Sequence, residues 1–448
     1  MNPLTSPLLT DLYQLTMLQG YIDQEMHDIS VFEFSVRSMP ENRNFFIAAG
    51  LESVLEFLEQ CHFSQEELEY LVGTGRFSQK LLDYLERFDF SGSVHAMAEG
   101  TIFFPHEPII RITAPLPEAQ LIESRVINLL HYQSLIASKA ARCVIASDGR
   151  ADLIDFGLRR THGAEAGLFA ARSTYLAGFI GTSTVLAEAL YGIPIFGTMA
   201  HSFIEAQKDE KEAFINFAYS NPENVTLLID TYDTVTGAQK VIETANLLKK
   251  KNIPVRGVRL DSGDIAALSK EVRAILDNGG LKDVGIFVSG NMDEYTIEEL
   301  FAQEAPIGGF GVGTRLDTSA DSPYLDSAYK LMEYAGKPRL KKSEGKATLP
   351  GRKQVFRRYD DTIMVQDILT IEGVEYEGLP LIREYMMDGK RVSKTLSVHE
   401  IRDYTLEQMK TLPANLRKLQ KTAPYPVHIA ESVMSMKEDI EKKLGTNG

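Results

Sequence analysis

The stretch NVTLLIDTYDTVTGAQKVIETANLLKKKNIPVRGVRLD (residues 224–261) contains the alternation that decides the fold. Its two ends are short apolar runs rich in β-branched residues. Between them the apolar residues recur at intervals of three and four. The first pattern is typical of buried strands and the second of an amphipathic helix. A strand, a helix and a second strand in succession predict a parallel βαβ unit.

The same alternation continues on both sides of this stretch. Helical spacing separates further strand-like runs at 151–157, 192–197, 284–290 and 308–314. Six strand-and-helix repeats favour a closed α/β barrel of the TIM type over an open doubly wound sheet. We therefore expect an α/β barrel domain over residues 148–334, with an N-terminal α+β segment (1–147) and a C-terminal segment (335–448) outside it.

Composition and charge exclude several classes of protein. A 448-residue chain with 44% hydrophobic and 24% charged residues is typical of a soluble globular protein of two or three domains. The net charge of -15 argues against a nucleic-acid partner, because neutralising phosphates needs a basic surface. No apolar run reaches the length of a membrane span. Cys61 and Cys143 suit neither a disulfide framework nor a metal site, and the first residues lack a secretion signal. We expect a cytoplasmic enzyme.

Polar side chains follow each of the six predicted strands. In α/β barrels the working residues lie just beyond the carboxyl ends of the strands. This pattern predicts one shared site, to which the successive strands contribute Arg159, Arg160 and His162; Thr198 and His201; Thr231, Tyr232 and Asp233; Ser262 and Asp264; Asn291; and Thr314 and Arg315.

The segment RLDSGDIAAL (259–268) has two interpretations. It reads as a helix start, with Ser262 as the N-cap and Asp264 in the first turn. It also places Arg259 and Asp261 at a strand end, where a guanidinium can hold a planar carboxylate through two hydrogen bonds.

The segment GGFGVGTRL (308–316) also has two interpretations. Small residues can fill a crowded barrel strand. Alternatively Gly311, Gly313 and Thr314 form a phosphate cradle, because glycines let backbone N–H groups approach oxygen atoms closely.

His201 lies in IPIFGTMAHSFIEAQ (193–207), between a predicted strand and a predicted helix. A lone histidine is more often structural than catalytic. An imidazole nitrogen can nevertheless act as a nucleophile, and an anion attached to it would be stabilised at a helix N-terminus. Two basic stretches keep similar alternatives: Arg159 and Arg160 are ion-paired or hold a ligand, and 337–358 is a solvated loop or contacts phosphates.

An ordered set of motifs carries a family resemblance over residues 10 to about 358. The motifs are TDLYQLTM, FGLRRTHG, GTSTVLA, GTMAHSF, VRLDSGD, VSGNMDE, GFGVGT and LPGRKQVFR. In this order they resemble the nicotinate phosphoribosyltransferases. The resemblance implies an irregular α/β barrel, a second α+β domain assembled from both chain ends, and a homodimer.

The resemblance also implies an activity. Members of that family convert nicotinate, phosphoribosyl pyrophosphate and ATP into nicotinate mononucleotide, pyrophosphate, ADP and phosphate, with Mg²⁺ as cofactor. They are ATP-dependent ligases of NAD biosynthesis. In this family ATP would phosphorylate a histidine of the site. The phosphate group would add negative charge to the site, and the phosphorylated state would store free energy that drives product formation.

The matching positions imply roles for particular residues. His201 would be the phosphorylated histidine and a catalytic residue, together with Arg159 and Arg259. The substrate-binding positions implied by the same motifs are Tyr13, which would stack on the pyridine ring, Thr198 and Arg259 beside nicotinate, Asp261 and Ser262 near the ribose, Gly290, and Gly311, Gly313 and Thr314 at the 5-phosphate end.

The chemistry agrees with the absence of a recognisable catalytic dyad or triad. The pyridine nitrogen already has a lone pair, so no strong base is required, and the site must supply positive charge and positioning. Three alternatives stay open: a phosphoribosyltransferase for nicotinamide or quinolinate, a phosphate-binding barrel isomerase or aldolase, and a binding scaffold without activity.

Overall fold

The computed structural model describes residues 5–342 and 348–445. The chain forms two compact units. One combines Met1–Leu135 with Tyr324–Gly448, and the other is Ile136–Pro323. Both boundaries lie before the positions 148 and 335 expected from the sequence.

The elements follow one another from α1 to α16 and from β1 to β19. The helices are α1 Leu12–Asp23, α2 Leu51–Gln60, α3 Gln65–Thr74, α4 Gln79–Glu86, α5 Leu116–Leu121, α6 Glu123–Ser147, α7 Ala164–Leu176, α8 Val185–Tyr191, α9 His201–Glu205, α10 Glu210–Ser220, α11 Thr234–Lys249, α12 Ile265–Asn278, α13 Glu294–Ala302, α14 Thr314–Asp317, α15 Val398–Lys410 and α16 Glu431–Gly445, with a short 3-10 helix Leu158–Arg160. The strands are β1 Ile29–Val36, β2 Phe46–Ile47, β3 Ser93–Met97, β4 Ile102–Phe103, β5 Pro108–Pro115, β6 Asp152–Asp155, β7 Gly181–Thr182, β8 Val225–Leu228, β9 Val255–Leu260, β10 Gly285–Val288, β11 Gly309–Val312, β12 Ser327–Tyr334, β13 Lys337–Pro338, β14 Lys353–Asp360, β15 Ile363–Ile371, β16 Leu379–Pro380, β17 Ile382–Met387, β18 Lys390–Arg391 and β19 Val427–Ile429.

The unit Ile136–Pro323 is built on a curled parallel sheet of six strands. Their order is β7-β6-β11-β10-β9-β8, and every ladder is parallel. The predicted α/β alternation is therefore confirmed. Closure into a full TIM-type barrel is not confirmed, because within the described ranges β7 and β8 are each hydrogen-bonded to one neighbouring strand only.

The predicted strand at 192–197 is wrong. Only Ile195 there forms a bridge, with Thr182, and the strand at this edge is β7. Pro194 has no N–H to donate to a ladder, although its carbonyl accepts the Thr182 N–H at 3.1 Å. A strand of two residues has too few positions to show a sequence period.

Aspartate caps begin three of the helices that follow the sheet strands. Asp233, Asp264 and Asp293 each accept the backbone N–H three residues further on, at the starts of α11, α12 and α13. The predicted Ser262 cap is therefore wrong, since its hydroxyl donates to Asp230 instead at 2.8 Å. These caps start each helix immediately after a strand end.

The unit that combines the two chain ends contains three sheets. They have seven, four and two strands, and the larger sheet joins β1 to β12, which follows the parallel sheet in the chain. Within the basic stretch 337–358, residues 337–338 form β13 and residues 353–358 belong to β14, while residues 343–347 lie outside the described ranges. Within residues 5–342 and 348–445, no helix has the length and apolarity needed to cross a bilayer.

Candidate active site

A pocket opens at the carboxyl ends of β6, β9, β10 and β11. Residues that follow each of these four strands contribute to its walls. The predicted residues that the pocket brings together are Arg159, Arg160, Arg259, Asp261, Gly290, Asn291, Gly311, Gly313 and Thr314. These strand ends therefore line one pocket, and the functional roles expected of the residues stay predictions.

Arg259 is held firmly at the end of β9. Its Nη1 donates to the Thr198 hydroxyl at 2.7 Å and to the Met199 carbonyl at 3.0 Å, and its Nε donates to the Ser289 hydroxyl at 3.1 Å. Burial lowers the pKa of this guanidinium, and the Asp261 carboxylate at 3.6 Å opposes that effect. A mostly buried and oriented cation of this kind is suited to a planar anion.

His201 is the first residue of α9 and is 39% exposed. Its Nδ1 lies 3.1 Å from the Thr231 hydroxyl, which follows β8, and its Nε2 lies 4.0 Å from Asp261 Oδ2. The ring is therefore oriented through Nδ1. The other ring nitrogen, Nε2, lies near Asp261, whose side chain is part of the pocket wall.

Two aspartates join the ends of β8 and β9. Asp230 Oδ2 accepts the Asp261 N–H and the Ser262 hydroxyl, both at 2.8 Å. The Ser289 hydroxyl donates to Asp261 Oδ1. Asp230 and Ser289 were not singled out from the sequence, although each is the last or next-to-last residue of a predicted strand segment, which was the available signal.

Three glycines of the pocket wall lie very close to neighbouring residues. A Cβ at Gly313 would lie 2.8 Å from the Phe156 carbonyl, and one at Gly311 would lie 2.6 Å from the Phe156 ring. Gly290 has φ +88°, and a Cβ there would lie 2.2 Å from the Asp261 carbonyl. Because no other residue fits these positions without movement, the loops can come this close only with glycine.

Thr314 and the two arginines lie beside those glycines. Arg160 Nη1 donates to the Thr314 hydroxyl at 3.3 Å, and Arg159 is an exposed residue of the same pocket wall. The sequence left open whether these arginines are paired internally. The structure places both next to the predicted phosphate cradle.

Tyr13 is not among the residues of this pocket. It lies in the first turn of α1, in the other compact unit, and is 48% exposed. Burial of part of the ring raises the pKa of its hydroxyl, with smaller contributions from Glu123 and Asp11. Its predicted stacking on the ligand stays a prediction.

The chemistry of the pocket is that of an anion site with two ends. The Arg259 end has the mostly buried Arg259 fork with Thr198, and the Thr314 end has Arg159, Arg160 and Thr314 among glycines. His201 and Asp261 lie close to the Arg259 end. Such an arrangement can bind a planar carboxylate and a phosphate while a nucleophilic nitrogen stays available.

Three sequence families match the chain in succession. Residues 8–131 match the nicotinate phosphoribosyltransferase (NAPRTase) N-terminal domain, 151–362 match the nicotinate phosphoribosyltransferase (NAPRTase) family, and 370–437 match the nicotinate phosphoribosyltransferase C-terminal domain.

Individual proteins resemble the chain over nearly its whole length. Nicotinate phosphoribosyltransferase pncB2 of Mycobacterium tuberculosis is 46% identical over 95% of this chain and 92% of its own. Nicotinate phosphoribosyltransferase of Bacillus subtilis is 35% identical over 96% and 94%. The crystal structure of human nicotinic acid phosphoribosyltransferase is similar with a TM-score of 0.86 and 26% identity, over 96% of this chain and 99% of that one.

Proposed function

The chain belongs to the nicotinate phosphoribosyltransferase family, and from this premise we propose that ATP-coupled phosphoribosyl transfer to nicotinate takes place in the pocket described above. The enzyme is a nicotinate phosphoribosyltransferase of NAD biosynthesis. The observation that carries the proposed site is that the mostly buried Arg259 guanidinium, two further arginines and a glycine-lined cradle share the ends of four neighbouring strands.

Arg259 and Thr198 are the proposed partners of the nicotinate carboxylate. The Arg259 fork is already oriented by Thr198, Met199 and Ser289, so little side-chain entropy is lost when a carboxylate binds. An amide in place of that carboxylate forfeits charge-assisted hydrogen bonds worth about 1.5–3 kcal/mol each. The site is therefore suited to nicotinate over nicotinamide.

The sugar phosphate is proposed to lie against Gly311, Gly313 and Thr314. During transfer the bond from ribose C1 to the pyrophosphate oxygen breaks, and a bond from C1 to the pyridine nitrogen forms. The attacking nitrogen gives up no proton, so the pocket needs no strong base. Arg159 stabilises the charge that develops on the departing pyrophosphate.

Magnesium fits the acidic side of the pocket. Asp230 Oδ1 is buried without a hydrogen-bond partner among the described residues, and Asp261 lies next to it in the network. Mg²⁺ in enzymes is commonly held by one or two carboxylates together with substrate phosphates, so the lack of a three-residue ligand cluster in residues 5–342 and 348–445 agrees with this. When bound, the ion would neutralise phosphate charge.

ATP coupling is proposed to proceed through His201. When Nδ1–H donates to the Thr231 hydroxyl, Nε2 carries a lone pair and can attack the terminal phosphate of ATP. An Nε2–P bond then forms while the bond to the ADP oxygen breaks. Water later takes the phosphoryl group and releases phosphate.

A turnover assay with and without ATP tests this function. Nicotinate mononucleotide and pyrophosphate are expected to form from nicotinate and phosphoribosyl pyrophosphate, and to form faster with ATP.

Incubation with γ-labelled ATP is expected to give an acid-labile label on the protein, retained in the His62→Asn control and lost in His201→Asn. Full labelling of His201→Asn would exclude His201 as the phosphorylated residue.

A homodimer is proposed as the working form. Helix α8 exposes Val185, Leu186 and Leu190, each more than half exposed, and Ile195 is a further exposed apolar residue of the same unit. Light scattering after gel filtration is expected to show a dimer that Leu186→Glu dissociates, whereas Leu247→Glu on α11 leaves it intact. A monomeric wild-type protein would exclude this assembly.

The proposed location is the cytoplasm, with which two buried free cysteines, Cys61 and Cys143, are compatible.

A further inference from the structure

Two buried carboxyl groups lie directly behind the proposed phosphate cradle. Asp155 ends β6 and is 0% exposed, and Asp317 ends α14, the helix that Thr314 begins, and is 1% exposed. The two side chains meet at Gly157, whose N–H donates to Asp155 Oδ1 at 2.9 Å and whose added Cβ would lie 1.9 Å from Asp317 Oδ2. Neither residue has a role in the proposed transfer.

The hydrogen bonds of Asp155 decide which carboxyl holds a proton. Its Oδ1 accepts the Gly157 N–H at 2.9 Å, and its Oδ2 accepts the Thr182 hydroxyl at 2.6 Å. The Thr182 hydroxyl is the donor there, and its oxygen also accepts the Thr184 N–H at 3.0 Å. Because both oxygens of Asp155 already accept hydrogen bonds, the hydrogen between the two acids is assigned to Asp317.

This pair ties together the chain segments that form the cradle. Asp155 holds the loop after β6 through Gly157 and the end of β7 through Thr182. Asp317 presses against the same loop, since a Cβ at Gly157 would lie 1.9 Å from its Oδ2. The Gly157 Cα in turn faces the space that a Cβ at Gly313 would occupy, at 3.4 Å.

We propose that Asp155 and Asp317 share one proton and act as positioning residues, fixing the loop after β6 and helix α14 so that Gly313 and Thr314 receive the 5-phosphate of phosphoribosyl pyrophosphate. This inference rests on the proposed function, which places that phosphate at Thr314. Loss of the proton puts two anions in contact next to a site for an anion. The cradle then opens and repels its ligand.

The surrounding charges bear on this proton. Burial raises the pKa of both carboxyls, and repulsion by Asp155 adds to the effect on Asp317. The titratable groups on the elements packed against the pair are Arg159 and Arg160 of the 3-10 helix, Glu165, Arg172 and Tyr175 of α7, and Arg315 of α14. Arg172 is the buried cation among them, and Arg315 is paired with Asp293 at 2.7 Å.

The test is the pH dependence of kcat/KM for phosphoribosyl pyrophosphate in wild type, Asp317→Asn and Asp317→Ala. Wild type is expected to lose kcat/KM at alkaline pH through a rising KM, as the shared proton leaves. Asp317→Asn keeps a donor toward Asp155 and is expected to match wild type near neutral pH without the alkaline loss. Asp317→Ala is expected to raise this KM roughly tenfold or more at every pH, because the cradle is misplaced. The KM for nicotinate stays within about twofold in all three, as the Arg259 end is untouched.

Asp152→Asn, at the exposed start of β6, is the matched control and is expected to follow wild type. An alkaline loss that persists in Asp317→Asn would overturn the inference and indicate that Arg172 balances two ionised carboxylates. If Asp317→Ala does not fold, Asp317→Asn alone decides. A wild-type enzyme that forms no nicotinate mononucleotide would instead refute the proposed function, so the two failures are distinguishable.

Discussion

At the scale of single residues, Arg259 is a charged side chain that its neighbours hold in one orientation. Its guanidinium is fixed by Thr198, Met199 and Ser289 before any ligand binds. Burial lowers its pKa from the ordinary value, yet an arginine keeps its charge at any physiological pH. These hydrogen bonds therefore keep the positive charge of the guanidinium at one position in the pocket wall.

Arg259→Gln is expected to raise the KM for nicotinate about 10- to 100-fold, because a charged hydrogen-bond donor to the carboxylate is lost. The KM for phosphoribosyl pyrophosphate should change less than about threefold, since that ligand is proposed to bind at the Thr314 end of the pocket. Steady-state kinetics with each substrate varied in turn measure both constants. Arg256→Gln, on the same strand and exposed, is the control. An unchanged nicotinate constant in Arg259→Gln would place the carboxylate elsewhere.

Other charged residues show the limit of sequence reasoning at this scale. The stretch 337–358 reads as a solvated charged loop or a phosphate contact. In the structure Lys353 is buried against Glu33 at 2.7 Å, and Arg357 against Asp367 at 2.6 Å. A charge run reveals its burial only through partners that are remote in the sequence, so both interpretations were wrong for these two residues.

At the scale of elements, residues after the strands line the pocket, and glycines allow the close approaches between them. Gly290 follows β10 with φ +88° and lies against the Asp261 carbonyl after β9. The helices that follow start at aspartate caps such as Asp264 and Asp293. Short loops between a buried strand and a capped helix leave the pocket residues little freedom to move.

Gly290→Ala is expected to destabilise the protein by about 3 kcal/mol, from left-handed strain of about 1–2 kcal/mol and a clash of about 1–3 kcal/mol. Gly280→Ala is a matched control: φ is +79° there, but nothing lies within 4 Å of the added Cβ, so only the strain of about 1–2 kcal/mol applies. Urea unfolding of both variants measures the difference. Equal losses would mean that the approach of Gly290 to the Asp261 carbonyl is easily relieved.

At the scale of the whole molecule, the two ends of the chain build one compact unit. Strand β1 pairs with β12 along Ser30–Tyr334 to Val36–Ser327, and β15 pairs with β19 near the C-terminus. Its core contains a buried acidic pair, Glu107 and Asp367, beside Arg357. The stability of this unit therefore depends on protons as well as on apolar burial.

The pH dependence of stability should reflect Glu107. Burial raises its pKa well above the ordinary value, and the Asp367 carboxylate raises it further. The folded state therefore keeps a proton that the unfolded state releases. The free energy of unfolding therefore falls as the pH rises from about 4.3, the pKa of this glutamate in the unfolded chain, through its raised pKa in the folded protein.

Glu107→Gln is expected to remove this contribution, so its unfolding free energy relative to wild type should increase as pH rises through that window. Urea unfolding at a series of pH values measures it. Glu41→Gln, at an exposed position, is the control and should change nothing. A constant difference between Glu107→Gln and wild type across this range would show that Glu107 is ionised in the folded protein.

The sequence alone determined the α/β alternation, the strand ends that line the pocket, and most of the residues in the pocket wall. It could do so because helical and strand periods are local, and because parallel strands place all their carboxyl ends on one edge. The tertiary structure alone decided the sheet order, the two-residue strand β7, the partners of Lys353 and Arg357, and the approach of both Asp155 and Asp317 to Gly157. These depend on pairings between distant segments, whose free energy comes from burial and hydrogen bonding that no local pattern encodes.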